Sequence, residues 1–208
     1  MRVLYCLISL FLLFISCSSP HAIIDIREYR YLTNDLFRGK LDLSQGSWLL
    51  MPLSVYQYGT FERQTDIILR ETLRQHLQER LYFANQIKDR NGKQKIFDVG
   101  FDNIEPHLEY LKTETNFDYV MSVKIAYLDR DNGSEILVSD SELLNKRYYS
   151  PCKIYLRVYS LESKEVFFDG AYLSYVDDKK EGRKSIVFFD ARSASKPTMT
   201  RFLKRIIP

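Results

Sequence analysis

The pattern of apolar and polar positions predicts alternating strands and helices over most of the chain. The run WLLMPLSVY, Trp48 to Tyr56, is short and almost continuously apolar, which is typical of a strand buried on both faces. Pro52 has no N–H to donate to a neighbouring strand, so it favours an edge position or a bulge. From Phe61 to Tyr82 the apolar residues recur at helical spacing, which predicts an amphipathic helix of about six turns. We expect this helix to bury Leu69, Leu73 and Leu77 against a sheet.

The same pattern predicts the remaining elements in order. A polar turn around Asn91-Gly92 precedes a short strand at residues 96–101, and a second helix spans residues 103–116. Three strands follow at residues 117–128, 152–161 and 165–176, and a last helix runs from Pro197 to Ile207. The order β-α-β-α-β-β-β-α predicts an α/β fold over residues 48–208, in which helices flank a single mixed β-sheet.

Residues 1–16 have the pattern of a bacterial signal peptide. Arg2 is their only charged residue, and the apolar run behind it stops at Cys17, before Ser-Ser-Pro. A membrane-spanning helix needs about 20 apolar residues, so a spanning segment is the weaker interpretation. A soluble export signal with an incidental cysteine is the other alternative.

The segment LFISC, Leu13 to Cys17, resembles the lipobox of bacterial lipoproteins, with Phe14 where Leu is usual. The resemblance implies that residues 1–16 are removed and that Cys17 becomes a lipidated N-terminus carrying acyl chains such as palmitate. Two acyl chains hold a protein stably on a bilayer. Ser18 replaces the Asp that resembles an inner-membrane retention signal, so we expect a lipid anchor on the periplasmic face of the outer membrane.

Residues 17–47 are too apolar for a flexible linker. We predict that this lipidated N-terminal segment packs on the domain and leaves only Ser18 to about His21 as a free tether. Such a tether spans less than about 20 Å when extended, so the domain would sit against its membrane.

Charge and candidate ligands exclude several classes of function. The net charge is +3, and basic residues interleave with acidic ones, so we expect no nucleic-acid partner. His21, His76 and His107 are scattered, and neither a Walker loop nor a Gly-x-Ser-x-Gly motif occurs. We therefore expect no metal, no cofactor beyond the covalent lipid, and no enzymatic activity. Cys152 reads as a small buried hydrophobic residue.

Several phrases resemble envelope α/β domains of bacteria. LLMPLSVYQ is similar to an apolar strand that ends in Pro before a long helix, FDYVMSVKI to a strand that opens with an Asp-Tyr-Val type phrase, and VYSLESKEVFF to a late hairpin. These features resemble the penicillin-binding-protein activator lipoproteins, the curli-secretion lipoproteins and the N-terminal domain of the Tol-Pal translocation protein. The hairpin departs from that pattern at Ser160 and Lys164, where Asp and Gly are usual. The resemblance implies a protein-binding module close to a membrane.

The sequence favours a non-enzymatic lipoprotein that binds or regulates another envelope protein or its own copies. One alternative is a subunit of a secretion channel or other envelope ring, although residues 129–150 are too short and charged to supply membrane strands. A less favoured alternative is a cell-wall hydrolase that uses carboxylates such as Asp118, Glu165 and Asp169.

Tyrosine is unusually frequent, with fifteen residues, and it suits both half-buried sheets and protein interfaces. Its concentration near the last two strands predicts a partner-binding surface there. The candidate residues are Tyr148, Tyr149, Tyr155, Tyr159, Tyr172 and Tyr175.

Overall fold

Within the residues that the structure describes, six strands form one mixed β-sheet. The structure is a computed structural model, and it describes residues 28–33, 39–56, 58–87, 99–128, 133, 135, 151–175 and 191–208. The strands are β1 (Glu28–Thr33), β2 (Trp48–Leu50), β3 (Leu81–Phe83), β4 (Tyr119–Tyr127), β5 (Cys152–Ser160) and β6 (Val166–Tyr175). The helices are α1 (Thr60–Leu77), α2 (Leu108–Glu114) and α3 (Ser195–Ile206). The spatial order of strands is β1-β6-β5-β4-β2-β3.

The pairing of strands divides the sheet into two halves. Strands β1, β6, β5 and β4 pair antiparallel, whereas β4, β2 and β3 pair parallel. The predicted α/β fold, a single mixed sheet flanked by helices, is therefore confirmed. Strand β1 was not predicted, and it precedes the predicted domain and pairs with β6.

Strand β3, Leu81–Phe83, was not predicted, because the helix was expected to continue to Tyr82. Of the strand predicted at residues 96–101, only residues 99–101 are described, and Phe101 begins a 3-10 turn. Residues 88–98 lie outside the described residues. Helix α1 ends at Leu77 instead of Tyr82, because Gln78 adopts a φ of 51° that a helix cannot continue.

Strand β2 lies inside the sheet and contains an irregularity at Pro52. Trp48 pairs with Tyr119, whereas the bridge beyond β2 joins Ser54 to Lys124, so one extra residue lies on the Pro52 side. This extra residue has the character of the predicted bulge. It accommodates Pro52, which has no N–H, and the pairing with β4 resumes at Ser54.

Helices α1 and α3 cover one face of the sheet and bury the larger part of the core. Leu69, Leu73 and Leu77 of α1 are 0%, 0% and 1% exposed, as predicted. They pack with residues of α3 and with the alternating inward residues of β4 and β5. The main contributors from those elements are Met199, Phe202, Ile206, Met121, Val123, Ile125, Ile154, Leu156 and Val158. Cys152 is fully buried in this cluster, and burial raises the pKa of its thiol, which makes it an inert core residue.

A buried ion pair joins the first turn of α1 to the turn that precedes α3. Arg192 donates from Nε and Nη2 to the two carboxylate oxygens of Glu62, at 2.7 and 2.6 Å, and the Tyr127 hydroxyl donates to Glu62 at 2.7 Å. One helical turn further on, the hydroxyls of Thr65 and Ser195 lie 2.8 Å apart. Both helices therefore begin at the same end of the sheet, where β4 ends.

The opposite face of the sheet is covered at one end by α2 and the 3-10 turns before it. Leu108 and Leu111 of α2 pack there against Leu49, Val120 and Tyr159. Beyond α2 the described part of this face carries ion pairs, including Arg157 with Asp169 and Lys124 with Asp102. Among the described helices, none combines the length and the apolar character that crossing a bilayer requires.

Candidate partner-binding site

A groove of about 420 Å³ lies between the β5–β6 hairpin and the start of α2. We call it the hairpin groove. One wall is formed by the turn and first residues of β6, and the other wall by the 3-10 turn Glu105–His107 and α2. Its lining residues are Glu105, Pro106, Leu108, Glu109, Tyr159, Lys164, Glu165 and Val166.

Tyr159 lies at the floor of the hairpin groove. The residue is 1% exposed, and its hydroxyl accepts a hydrogen bond from Arg157 Nη1 at 3.2 Å and donates to Glu105 Oε1 at 3.1 Å. Burial is the main cause that raises the pKa of this phenol, so it stays protonated at neutral pH. A neutral hydroxyl with both partners fixed holds the Glu105 wall in place.

Lys164 is held in a backbone conformation that usually requires glycine. Its φ is +62°, its N–H donates to the carbonyl of Ser160 at 2.8 Å, and its ammonium pairs with Glu109 on α2. A side chain in this region costs about 1 to 2 kcal/mol. The strain is kept at a residue whose side chain bridges the two walls of the groove.

A second contact joins the same two walls. Lys112 Nζ, one turn along α2 from Glu109, donates to the carbonyl of Glu162 in the hairpin at 3.4 Å. Both contacts involve exposed side chains, and together they link the hairpin to α2 across the groove.

The hairpin groove is acidic and partly apolar. Three glutamates and one lysine line it together with Pro106, Leu108 and Val166. The hydrogen bond and charge of Lys164 lower the pKa of Glu109, so this carboxylate stays ionised at neutral pH. Such a site can accept hydrogen bonds from a cationic side chain and cover an adjoining apolar one.

Solved structures with some similarity to this chain are bacterial proteins. No protein-family model matches the chain, and no curated protein sequence matches it. A PelC variant dodecamer from Paraburkholderia phytofirmans has a TM-score of 0.41 and 11% identity, over 87% of this chain and 99% of that chain. A second PelC dodecamer from the same organism has a TM-score of 0.39 and 13% identity, over 85% and 94%. Lipoprotein GNA1162 from Neisseria meningitidis has a TM-score of 0.38 and 10% identity, over 77% and 99%. Scores this low do not bear on function.

The structure divides the candidate tyrosines between the two faces of the sheet. Tyr159 belongs to the hairpin groove, and Tyr155 lies on the same face, with its ring 4.4 Å from Lys153 Nζ. Tyr172 lies on the other face, where its ring stacks on Phe202 at 5.7 Å. For Tyr175 only the backbone is described, paired with Glu28, and Tyr148 and Tyr149 lie outside the described residues. The described tyrosines therefore do not form one continuous surface.

The three candidate carboxylates have different surroundings. Asp118, before β4, accepts from the N–H and hydroxyl of Ser47 at 2.7 and 2.9 Å, and Asp169 on β6 accepts from Arg157 at 3.2 Å. Glu165 is exposed in the hairpin groove. Within the described part of the chain, no group of histidines, cysteines and carboxylates has the arrangement of a metal site. Cys17 lies outside the described residues.

Glu105 and Glu109 were not among the residues predicted from the sequence to form a site. Lys164 was noted only because it stands where the similar hairpins have glycine. That departure was the available signal, because a lysine at a turn position that favours positive φ marks a side chain kept for a reason other than backbone fit.

Proposed function

We propose that this protein is a non-enzymatic lipoprotein, anchored through Cys17 on the periplasmic face of a bacterial outer membrane. In this proposal it binds a basic segment of another envelope protein in the hairpin groove. The binding proposal rests on the acidic groove, whose two walls are linked by the ion pair between Lys164 and Glu109.

The charge of the groove favours a basic partner segment. Three glutamates and one lysine line the groove, and Glu105 and Glu109 expose 66% of their side chains each. Arg157 lies 3.9 Å from Glu105 and Lys164 pairs with Glu109, so Glu165 is the lining carboxylate for which no ion pair is described. A lysine or arginine side chain would find carboxylates there, and an apolar neighbour would cover Pro106 and Val166. Complementary charge of this kind contributes specificity and association rate more than affinity.

The charge state of Glu109 suits binding of a cation rather than donation of a proton. A hydrolase of cell-wall glycans needs a carboxylic acid whose pKa is raised, so that it can donate a proton near neutral pH. In the groove the pKa of Glu109 is lowered by Lys164. An ionised carboxylate paired with lysine is suited to recognition of a cation.

The position of the groove supports a partner in the periplasm. Strand β1 begins at Glu28, which pairs with Tyr175 at the far end of β6, whereas the groove includes Val166 at the start of β6. A chain anchored before β1 would therefore present the groove at the end of the domain away from its anchor.

In-cell photo-crosslinking tests this proposal. A photoreactive residue replaces Glu165 in the groove or, as a matched control, Glu71, an exposed glutamate on α1. We expect a crosslink to a distinct envelope protein from position 165 and none from position 71, with the crosslinked peptide of the partner carrying lysine or arginine. Equal yields at the two positions would contradict the groove assignment.

Two other results would replace the proposal. Crosslinks only between copies of this chain, with a fixed stoichiometry, would favour a ring-forming subunit. Turnover of a cell-wall fragment by the purified protein, lost on replacing one carboxylate, would overturn the non-enzymatic role.

A further inference from the structure

One end of the domain gathers the start of the chain's described part and the starts of both large helices. Four paired residues form one row across this end of the sheet: Tyr29 of β1, Ser174 of β6, Cys152 of β5 and Tyr127 of β4. The hydroxyl of Tyr127 reaches Glu62 in the first turn of α1, and Glu62 binds Arg192 before α3. We call this end of the sheet the entry end.

Two large aromatic side chains are exposed at the entry end. Tyr56 and Tyr58 lie between the Ser54 bridge and the first residue of α1, and they are 64% and 52% exposed. They are the two most exposed large hydrophobic side chains among the described residues. Tyrosine places an apolar ring with a polar tip at the level of lipid headgroups.

Among the described residues in the first turns of α1 and α3, the exposed charged side chains are basic. Arg63 in the first turn of α1 and Lys196 in the first turn of α3 are both exposed. The acidic groups nearby are already engaged, since Glu62 is buried with Arg192, and Asp66 pairs with Arg70 at 2.8 Å and accepts from Tyr58. The described helix starts at the entry end therefore offer positive charge to an anionic surface.

The length of chain before β1 limits which end can face a bilayer. Residues 18–27 separate Cys17 from Glu28. Fully extended, these ten residues span about 35 Å. The nine residues of β4 alone span about 30 Å. With an anchor at Cys17, the opposite end could face the membrane only if residues 18–27 ran extended along the whole sheet, whereas the entry end could face it with a much shorter span.

We infer that the entry end is a membrane-contact surface, in which Tyr56 and Tyr58 insert at the headgroup level and Arg63 and Lys196 lie against anionic headgroups. The inference rests on the lipid anchor of the proposed function. It adds a fixed orientation, in which the hairpin groove points away from the bilayer.

Fluorescence quenching by brominated lipid tests the orientation. Trp48, the only tryptophan, is 0% exposed and serves as an internal reference in every variant. Full-length lipidated protein is reconstituted in phosphatidylethanolamine–phosphatidylglycerol vesicles with brominated acyl chains, as Tyr56→Trp, Tyr58→Trp or the matched control Tyr110→Trp. Tyr110 is a tyrosine of similar exposure, 47%, on α2 near the hairpin groove.

We expect brominated lipid to quench the added tryptophan at positions 56 and 58, and to leave the emission of the parent and of Tyr110→Trp unchanged. Charge is tested by adding Arg63→Glu and Lys196→Glu to Tyr56→Trp, which should reduce the quenching. Equal quenching at positions 56 and 110, or none at position 56, would overturn the inference, as would full quenching in the charge-reversed variant.

Flotation of the same samples separates the two proposals. If the lipidated Tyr56→Trp protein floats with the vesicles but its added tryptophan is not quenched, the anchor stands and the membrane-contact surface is wrong. If Cys17→Ala floats as well as the parent, the anchor itself is wrong, and quenching at position 56 is then judged on that floated protein.

Discussion

Glu62 has no exposed surface, yet it is held ionised by the donors around it. Burial alone raises the pKa of a carboxyl group, but hydrogen bonds from Arg192 and Tyr127 and the charge of Arg192 outweigh burial and lower the pKa of Glu62. The N–H of Gly59 also donates to Glu62 Oε2, at 3.0 Å. A Cβ at position 59 would lie 2.1 Å from Arg192 Nη2, so glycine is needed there for the ion pair to close.

We expect Glu62→Gln to lower the free energy of unfolding by about 3 to 5 kcal/mol, because it removes the carboxylate charge that two bonds from the buried Arg192 compensate. Urea denaturation at neutral pH measures the loss. Glu71→Gln, on the exposed side of the same helix, is the control and should stay within about 0.5 kcal/mol of the parent. Equal midpoints for the two variants would show that the ion pair does not stabilise the fold.

The same carboxylate predicts a pH dependence with a definite sign. Because the folded pKa of Glu62 is lowered, its contribution to stability is fully present above its ordinary pKa of 4.5 and is lost as pH falls through the folded value. The difference in unfolding free energy between parent and Glu62→Gln should therefore shrink as pH falls below about 4.5. A difference that grows with acidity would contradict the assigned direction.

Lys164 allows strain and ion pairing to be separated by two substitutions at one position. Lys164→Ala and Lys164→Gly both remove the pairing with Glu109, but only glycine relieves the φ of +62°. We expect the glycine variant to be more stable than the alanine variant by about 1 kcal/mol in urea denaturation. Both variants should lose yield in the crosslink from position 165, and a parent-like yield in either would remove Lys164 from the binding site.

At the scale of elements, the sequence predicts those structures that a regular period defines. The leucines of α1 and the alternating residues of β5 could be predicted because each of these elements buries one face more than the other. The boundary between α1 and β3 could not be predicted, because Leu77 and Leu81 continue the helical spacing although the backbone of Gln78 is no longer helical. The hairpin groove was out of reach for another reason, because Tyr159 and Glu105 meet only through packing, 54 residues apart.

The packing of α1 predicts a sharp contrast between two of its side chains. Leu73 is 0% exposed in the main core, whereas Ile67 on the same helix is 45% exposed. Leu73→Ala should cost about 2 to 5 kcal/mol of unfolding free energy. Ile67→Ala should change it by less than about 0.5 kcal/mol. An unchanged denaturation midpoint for Leu73→Ala would contradict the placement of α1 against the sheet.

At the scale of the whole molecule, the two ends of the sheet differ in chemistry. The entry end exposes Tyr56, Tyr58 and basic side chains, and the opposite end holds the acidic hairpin groove. In the inferred orientation, basic side chains at the first end lie against anionic headgroups, and the glutamates of the groove lie away from them. The +3 net charge of the chain gives no hint of this division, which depends on the fold bringing distant charges to opposite ends.

This division makes the anchor and the groove interdependent, and one variant tests both. With Cys17→Ala we expect recovery in the soluble fraction and a reduced crosslink yield from position 165, because release from the membrane lowers the local concentration of a partner held near the same surface. Thermal denaturation of parent and variant provides the control, since the two should unfold at the same temperature if the domain is intact. Recovery of Cys17→Ala in the parent's membrane fraction, with no mass loss of the parent under a lipase, would contradict lipidation at Cys17. A soluble variant that crosslinks as well as the parent would show that the groove finds its partner without the membrane.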